Sequence, residues 1–228
     1  VRMTFGVNTS PLTGREGKWS TSRKIMERLN DELRKNISLR VEETEQKDVF
    51  LVSGRGELHL GILIETMRRE GYEFQVSRPE AIVIENELGE KLEPFEEVHI
   101  EVDPNYVGAV VEMLGQRRGQ MDDMRNNPDG TTHLTFTIPT RGLLGFRYRF
   151  LNATHGKGIM NSFYIGERPL EGTVVNRNSS SITAIEDGVA TTFGLKNAEQ
   201  RGILFISPGV EVYEGMIVGI HSRDNDLV

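Results

Sequence analysis

Over its first 165 residues the apolar spacing runs through one six-element pattern and then begins it again, which restricts the chain to an architecture of two like units. Met3, Phe5 and Val7 alternate as in a half-buried strand. A Ser20-Thr21-Ser22 cluster able to cap a helix precedes Ile25, Leu29, Leu33 and Ile37, which recur every four residues with charges between them. Leu39 and Val41 then alternate with Arg40 and Glu42, a turn follows at Gln46-Lys47-Asp48, and the apolar run 49–52 suits a central strand. Helical spacing returns at Leu60, Leu63, Ile64 and Met67, Gly71 closes it, and Tyr72, Phe74 and Val76 alternate again. The order is βαββαβ, the ferredoxin-like split arrangement.

In the second unit, strands are expected over 81–87 and at Val98, Ile100 and Val102. Asp103-Pro104 then opens a helix carrying Val107, Val110, Val111 and Leu114, and Gly119 ends it. Past the turn signal Asn126-Asn127-Pro128-Asp129-Gly130, a strand is expected at Leu134, Phe136 and Ile138. Leu143, Phe146 and Phe150 suggest a helix stopped at Gly156, and 159–165 supplies the last strand. Each unit sets an Arg-Gly pair between its third strand and second helix, Arg55-Gly56 and Arg141-Gly142. Beyond residue 166 only short β runs are expected, at 181–185, 189–195, 203–206 and 210–220, with a turn at Asp187-Gly188 and no helix. The expected fold class is α+β: ferredoxin-like domains over 1–78 and 79–165, then a β-rich domain over 166–228 that stops without a closing element and reads as truncated.

Composition removes several chemistries. With no cysteine and five scattered histidines, disulfides, thiolate catalysis and metal-ligand spacing all drop out. No run of eighteen apolar residues offers a membrane span, and the opening Val1-Arg2-Met3 is no signal peptide, so a cytoplasmic address is expected. The net charge of −7 argues against generalised nucleic-acid binding, yet it hides a segregation. Residues 130–166 hold no Asp or Glu, where the average density of 34 acids in 228 residues would place about five. Arg141, Arg147, Arg149 and Lys157 all fall inside that window, and a second basic group, Arg15 and Lys18 with Arg23 and Lys24, lies in the first unit. Each of these cations also suits an ordinary solvated surface.

Two glycine-rich segments resemble phosphate-binding loops and fail on spacing. Gly14-Arg15-Glu16-Gly17-Lys18-Trp19-Ser20 has Leu12 where a P-loop needs its first glycine and Trp19 where it needs a hydroxyl. Ser53-Gly54-Arg55-Gly56-Glu57-Leu58-His59 has His59 where a dinucleotide fingerprint needs its third glycine, so a tight turn into a helix is the better account. The pairs Glu42-Glu43, Glu96-Glu97 and Asp122-Asp123 are neighbours on expected strands and point to opposite faces, which disfavours acid–base work. The aromatic run of an RNA-recognition motif is missing too. These residues offer no catalytic, cofactor-binding or metal site.

At SGRGELHLGILIETMRREGYEFQVSRP, residues 53–79, the chain resembles domain III of the elongation factor G family. EPFEEVHIEVDPNYVGAVVEMLGQRRG, residues 93–119, is similar to the start of domain V of those factors, with Pro94, Glu97, Val98, Pro104, Tyr106, Gly108, Leu114 and Arg117-Arg118-Gly119 at matching places. The two units join directly through Val76-Ser77-Arg78-Pro79, as in LepA-like and BipA-like factors. PTRGLLGFRYRF at 139–150 resembles the BipA form, and GVEVYEGMIVGIHSRDNDL at 209–227 resembles the opening of the C-terminal domain of BipA/TypA proteins. The resemblance implies a C-terminal portion of a translational GTPase whose GTP and Mg belong to a G domain outside this sequence. It implies the ribosome as partner, at the elongation-factor site, with the A-site tRNA reached through a later part of the C-terminal domain. The implied roles are stress adaptation and large-subunit assembly. The residues expected to meet rRNA phosphates are Arg141, Arg147, Arg149 and Lys157 in the second unit and Arg15 and Lys18 in the first. The alternative reading is a regulatory module that binds a small metabolite between paired ferredoxin-like domains.

Overall fold

Alternation and helical spacing build the first domain: β1 (Arg2–Gly6), α1 (Ser22–Leu33), β2 (Arg40–Glu43), β3 (Val49–Ser53), α2 (Glu57–Arg69) and β4 (Gln75–Val76). In this computed structural model, which describes residues 1–174, 180–223 and 225–228, β1 lies antiparallel to β3 with Met3 opposite Val52 and Phe5 opposite Phe50. The sheet order is β2-β3-β1-β4. Ile25 and Leu29 of α1 and Leu60, Leu63 and Met67 of α2 bury against Met3, Phe5, Leu39, Phe50 and Val52. α1 ends a turn before the spacing suggests, and Ile37 is 95% exposed. The cause is a local turn: the Asn36 side-chain oxygen accepts from Ser38 N–H, and Leu39 takes the core position instead. Gly71, with φ 88°, closes α2 as expected, and Tyr72 N–H returns to the Met67 carbonyl at 3.0 Å.

The second domain comprises β5 (Ile84–Glu85), β6 (Lys91–Val102), α3 (Val107–Gly115, after a 3-10 turn at Pro104–Tyr106), β7 (Gln120–Asn126), β8 (Thr132–Pro139), α4 (Thr140–Leu143), α5 (Phe146–Ala153) and β9 (Ile159–Pro169). β6 is flanked by β8 and β9, and β8 pairs β7, giving β9-β6-β8-β7. Counting strands within each six-element unit, both domains have the order 4-1-3-2, so the repeat read from spacing is a repeat of topology. The strand expected over 81–87 is only the two-residue β5, and β6 serves as the unit's first strand. Its second strand, β7, is an edge strand exposed along nearly its whole length, which is why its sequence shows little apolar alternation. Val98, Ile100, Leu134, Phe136, Ile138, Phe146 and Phe150 form the core with Val110 and Leu114 of α3.

The two sheets stay separate. Between them Arg2 and Glu80 exchange backbone hydrogen bonds of 2.8 Å in each direction. β9 runs to Pro169, past residue 165, and compactness divides the chain into Val1–Val174 and Val175–Val228. In the second of these units β10 (Ser180–Thr183), β14 (Ile217–His221) and β12 (Gly202–Leu204) form one sheet, and β11 (Gly188–Val189) pairs β13 (Glu211–Val212). The all-β expectation is corrected here by α6 (Thr192–Glu199), which replaces most of the strand expected over 189–195. Thr191 caps it by accepting from Gly194 N–H at 3.1 Å. Residues 175–179 and Asp224, inside the expected third domain, lie outside the described residues.

Candidate nucleic-acid interface

In the first unit's basic group, Arg15 and Lys18 sit on a loop between β1 and α1 that is organised by a residue far away in sequence, and Arg23 and Lys24 sit on α1. Glu73 is 8% exposed. Its Oε1 accepts from Gly14 N–H at 2.7 Å and Asn8 Nδ2 at 2.9 Å, and its Oε2 accepts from Glu16 N–H at 3.1 Å and Gly17 N–H at 3.0 Å. The Gly14 N–H bond leads in holding this carboxyl below the usual carboxylate range, with Asn8, Glu16 and Gly17 adding to it against the upward push of burial. The P-loop-like segment is therefore a nest of N–H groups already filled by the protein's own carboxylate. Arg15 and Lys18 are exposed on its rim. Lys18 and Lys24 place their ammonium groups 4.8 and 5.4 Å from the centre of the Trp19 ring.

The basic group of residues 141–157 is distributed differently from its sequence. Arg141 points inward: its guanidinium forms a two-point ion pair with Glu93, which is 1% exposed, and also donates to the Glu171 carbonyl at 2.6 Å. That pairing engages the Arg141 side chain within the protein, tying α4 to the start of β6 and to the segment after β9. Arg147 is exposed and reaches the Met160 carbonyl at 3.4 Å, and Lys157 is exposed beyond α5. Arg149 is half-buried. With about 100° per residue, Arg147 and Arg149 flank the inward Phe146 on opposite sides of α5, so they define two edges of the helix rather than one patch. Tyr148 projects outward and is 72% exposed.

Arg117, which the sequence marks only as one of the residues matching domain V, anchors this region from within. It is buried, donates to the carbonyls of Gly142 at 2.8 Å and Leu144 at 2.9 Å, and lies over the Phe146 ring. Burial lowers its pKa first, Arg149 lowers it further, and Glu57 opposes both. Glu57 comes from the other domain. At the first residue of α2, it accepts from Gly145 N–H with both oxygens at 2.9 Å, at the start of α5. A carboxylate on a helix N-terminus is favourable for both charge and hydrogen bonding, and here it links the two domains.

On the sheet face opposite the helices, His99 and His133 meet with ring nitrogens 3.3 Å apart. Glu97 lies 2.8 Å from His99 Nε2, and Glu101 lies 3.7 Å from His133 Nδ1. The register that sets Glu101 opposite His133 brings them together, and alternation along β6 was the signal that could have found it. Among the described residues no group of three or more His, Asp or Glu is placed to hold a metal ion.

Comparison with known proteins follows the same division. Residues 17–78 match the family model described as Elongation Factor G, domain III, and residues 90–178 match Elongation factor G C-terminus. Together with the 4-1-3-2 topology, these matches define the chain as the domain III and C-terminal pair of the elongation factor G class. Residues 179–228 match the TypA/BipA C-terminal domain. Over its whole length the chain is 54% identical to the "Large ribosomal subunit assembly factor BipA" of Synechocystis and 52% identical to that of Bacillus subtilis, covering 38% and 37% of those proteins. It is 50% identical to an Arabidopsis thaliana protein described as "Putative elongation factor TypA-like SVR3, chloroplastic", of which it covers 34%. The chain belongs to the BipA/TypA family and spans a little over a third of the length of these relatives.

Proposed function

We propose that this chain is the ribosome-docking portion of a BipA/TypA-type translational GTPase acting in large-subunit assembly and stress adaptation. In this reading GTP and Mg are handled by a G domain in the part of the family's length that the chain does not span. Residues 1–78 and 79–165 act as two rigid docking domains, and 166–228 begins the C-terminal domain whose later part reaches the A-site tRNA. Phosphates of rRNA are met by Arg15 and Lys18 in the first domain and by Arg147, Arg149 and Lys157 in the second, while Arg141 holds its own domain together. The site of action is the cytoplasmic ribosome.

One observation supports this reading above the others: two like domains are joined without an insert and coupled side to side by Glu57 on Gly145, which presents separate cationic groups on one body. Rigid shape supplies the address and phosphate contacts supply affinity, as RNA recognition by shape requires. The test is competition on purified ribosomes. The chain is expected to sediment with them and to be displaced by elongation factor G, because the two share a site. Simultaneous binding of both, or no sedimentation of the chain at any ionic strength, contradicts the reading. The pure chain is expected to release no phosphate from GTP, and a measurable turnover above a protein-free control contradicts the assignment of hydrolysis to another domain.

A further inference from the structure

We infer that Glu73 is the positioning residue of a phosphate-contact loop: its buried carboxylate holds residues 14–19 in the shape that turns Arg15 and Lys18 outward toward the RNA backbone. This rests on the docking reading and names what organises its first-domain site.

The pinning follows a pattern along the loop. The N–H groups of Gly14, Glu16 and Gly17 are all committed to Glu73, at 2.7, 3.1 and 3.0 Å. Two residues on, Trp19 N–H donates to the Gly71 carbonyl and Glu73 N–H donates to the Trp19 carbonyl, each at 3.0 Å. Positions 14, 16, 17 and 19 are thus fixed by inward bonds of their backbone, and on the rim the exposed cations Arg15 and Lys18 flank the exposed Glu16. Gly17 is required by close approach, since a Cβ there would lie 2.4 Å from Glu73 Cβ and 2.7 Å from Glu73 N. The same N–H groups would otherwise form an anion nest able to take a phosphate. With Glu73 inside, a phosphate has to be met by side chains on the rim, and the backbone that carries them is ordered before RNA arrives. Affinity is gained in this way because the cost of ordering the loop is met on folding rather than on docking.

The experiment measures the affinity of the full chain for purified ribosomes against salt concentration, for the parent, Glu73→Gln, the pair Arg15→Ala/Lys18→Ala, and the triple variant. Urea midpoints check that each is folded. Gly17→Ala breaks the same packing from the loop side and substitutes for Glu73→Gln if that variant does not fold. Removing both cations is expected to flatten the slope of log K against log salt by about two. Glu73→Gln is expected to flatten it by about one to two with both cations still present, and to add nothing in the triple variant, because all three residues act through the same contacts. A purely structural role would give losses that add. If the cation pair matters while Glu73→Gln and Gly17→Ala bind like the parent, or if the losses add, the inference is overturned and the docking surface stands. If the cation pair itself binds like the parent, docking at this loop fails and takes the inference with it.

Discussion

Arg141 and Glu93 illustrate how one residue's partner decides its role. Glu93 is almost wholly buried and Arg141 keeps 16% side-chain exposure, so removing one partner leaves a charge with little water to solvate it. Glu93→Ala is expected to lower unfolding stability by about 3 kcal/mol, read from urea curves. A change below about 0.5 kcal/mol would mean that the pair is solvated in practice. Glu73 adds a pH dependence whose sign follows from its lowered pKa: the stability it contributes is present above the unfolded carboxylate value and lost as pH falls through the folded one. The stability of Glu73→Gln is therefore expected to fall short of the parent's at neutral pH and to approach it as pH falls through the folded carboxyl's lowered value. A constant gap across that range contradicts the account. None of these partnerships was visible in the spacing. The segregation of cations over 130–166 was legible, but charge patterning does not reveal that Glu93, outside the window, reaches into it. The Gly14-x-x-Gly17 segment was set aside as a phosphate loop on its spacing, and sequence could not say that its N–H groups form a nest filled by a carboxylate from residue 73.

The elements themselves were mostly legible where burial is one-sided. β1, β3, α2 and β8 follow their apolar period because one face of each meets a core. Three elements escaped for physical reasons. β7 lies at an exposed edge and needs no apolar alternation. α6 has no fully buried residue among those described, so no apolar stripe announces it, and only the Thr191 cap marks its start. The second helix of the second domain is split at Gly145, which has φ 68° and whose N–H faces Glu57, a contact between domains that no local pattern encodes. That contact is the most exposed to test at this scale. Glu57→Ala is expected to cost about 1 kcal/mol and to loosen the coupling of the two domains, which residual dipolar couplings measured on each domain separately would register. Identical inter-domain alignment in parent and variant would show that the carboxylate does not set the coupling.

Across the whole molecule, a net charge of −7 coexists with residues 130–166, which hold no Asp or Glu, although elsewhere, as on α1 and α2, acids and bases share an element and pair along it. Arg15 and Lys18 sit on the rim of one loop and Arg147, Arg149 and Lys157 on or just beyond α5, whereas the helix-free face of the second sheet carries Glu97 and Glu101 beside the two histidines. Under the proposed docking reading, such an arrangement would favour RNA at those edges and disfavour it on the sheet. Duplication of one fold supplies two such edges, and a direct join with a carboxylate latch keeps them on one body.

The most direct test of that picture is the affinity of the chain for ribosomes measured over a range of monovalent salt. Five phosphate contacts predict that log K falls with log salt at a slope of roughly −3.5 to −4.5, and that reversing the charge of Arg15, Lys18, Arg147 and Lys157 together abolishes most of it. Binding with a slope near zero, or with the full slope retained by the charge-reversed variant, would contradict the account.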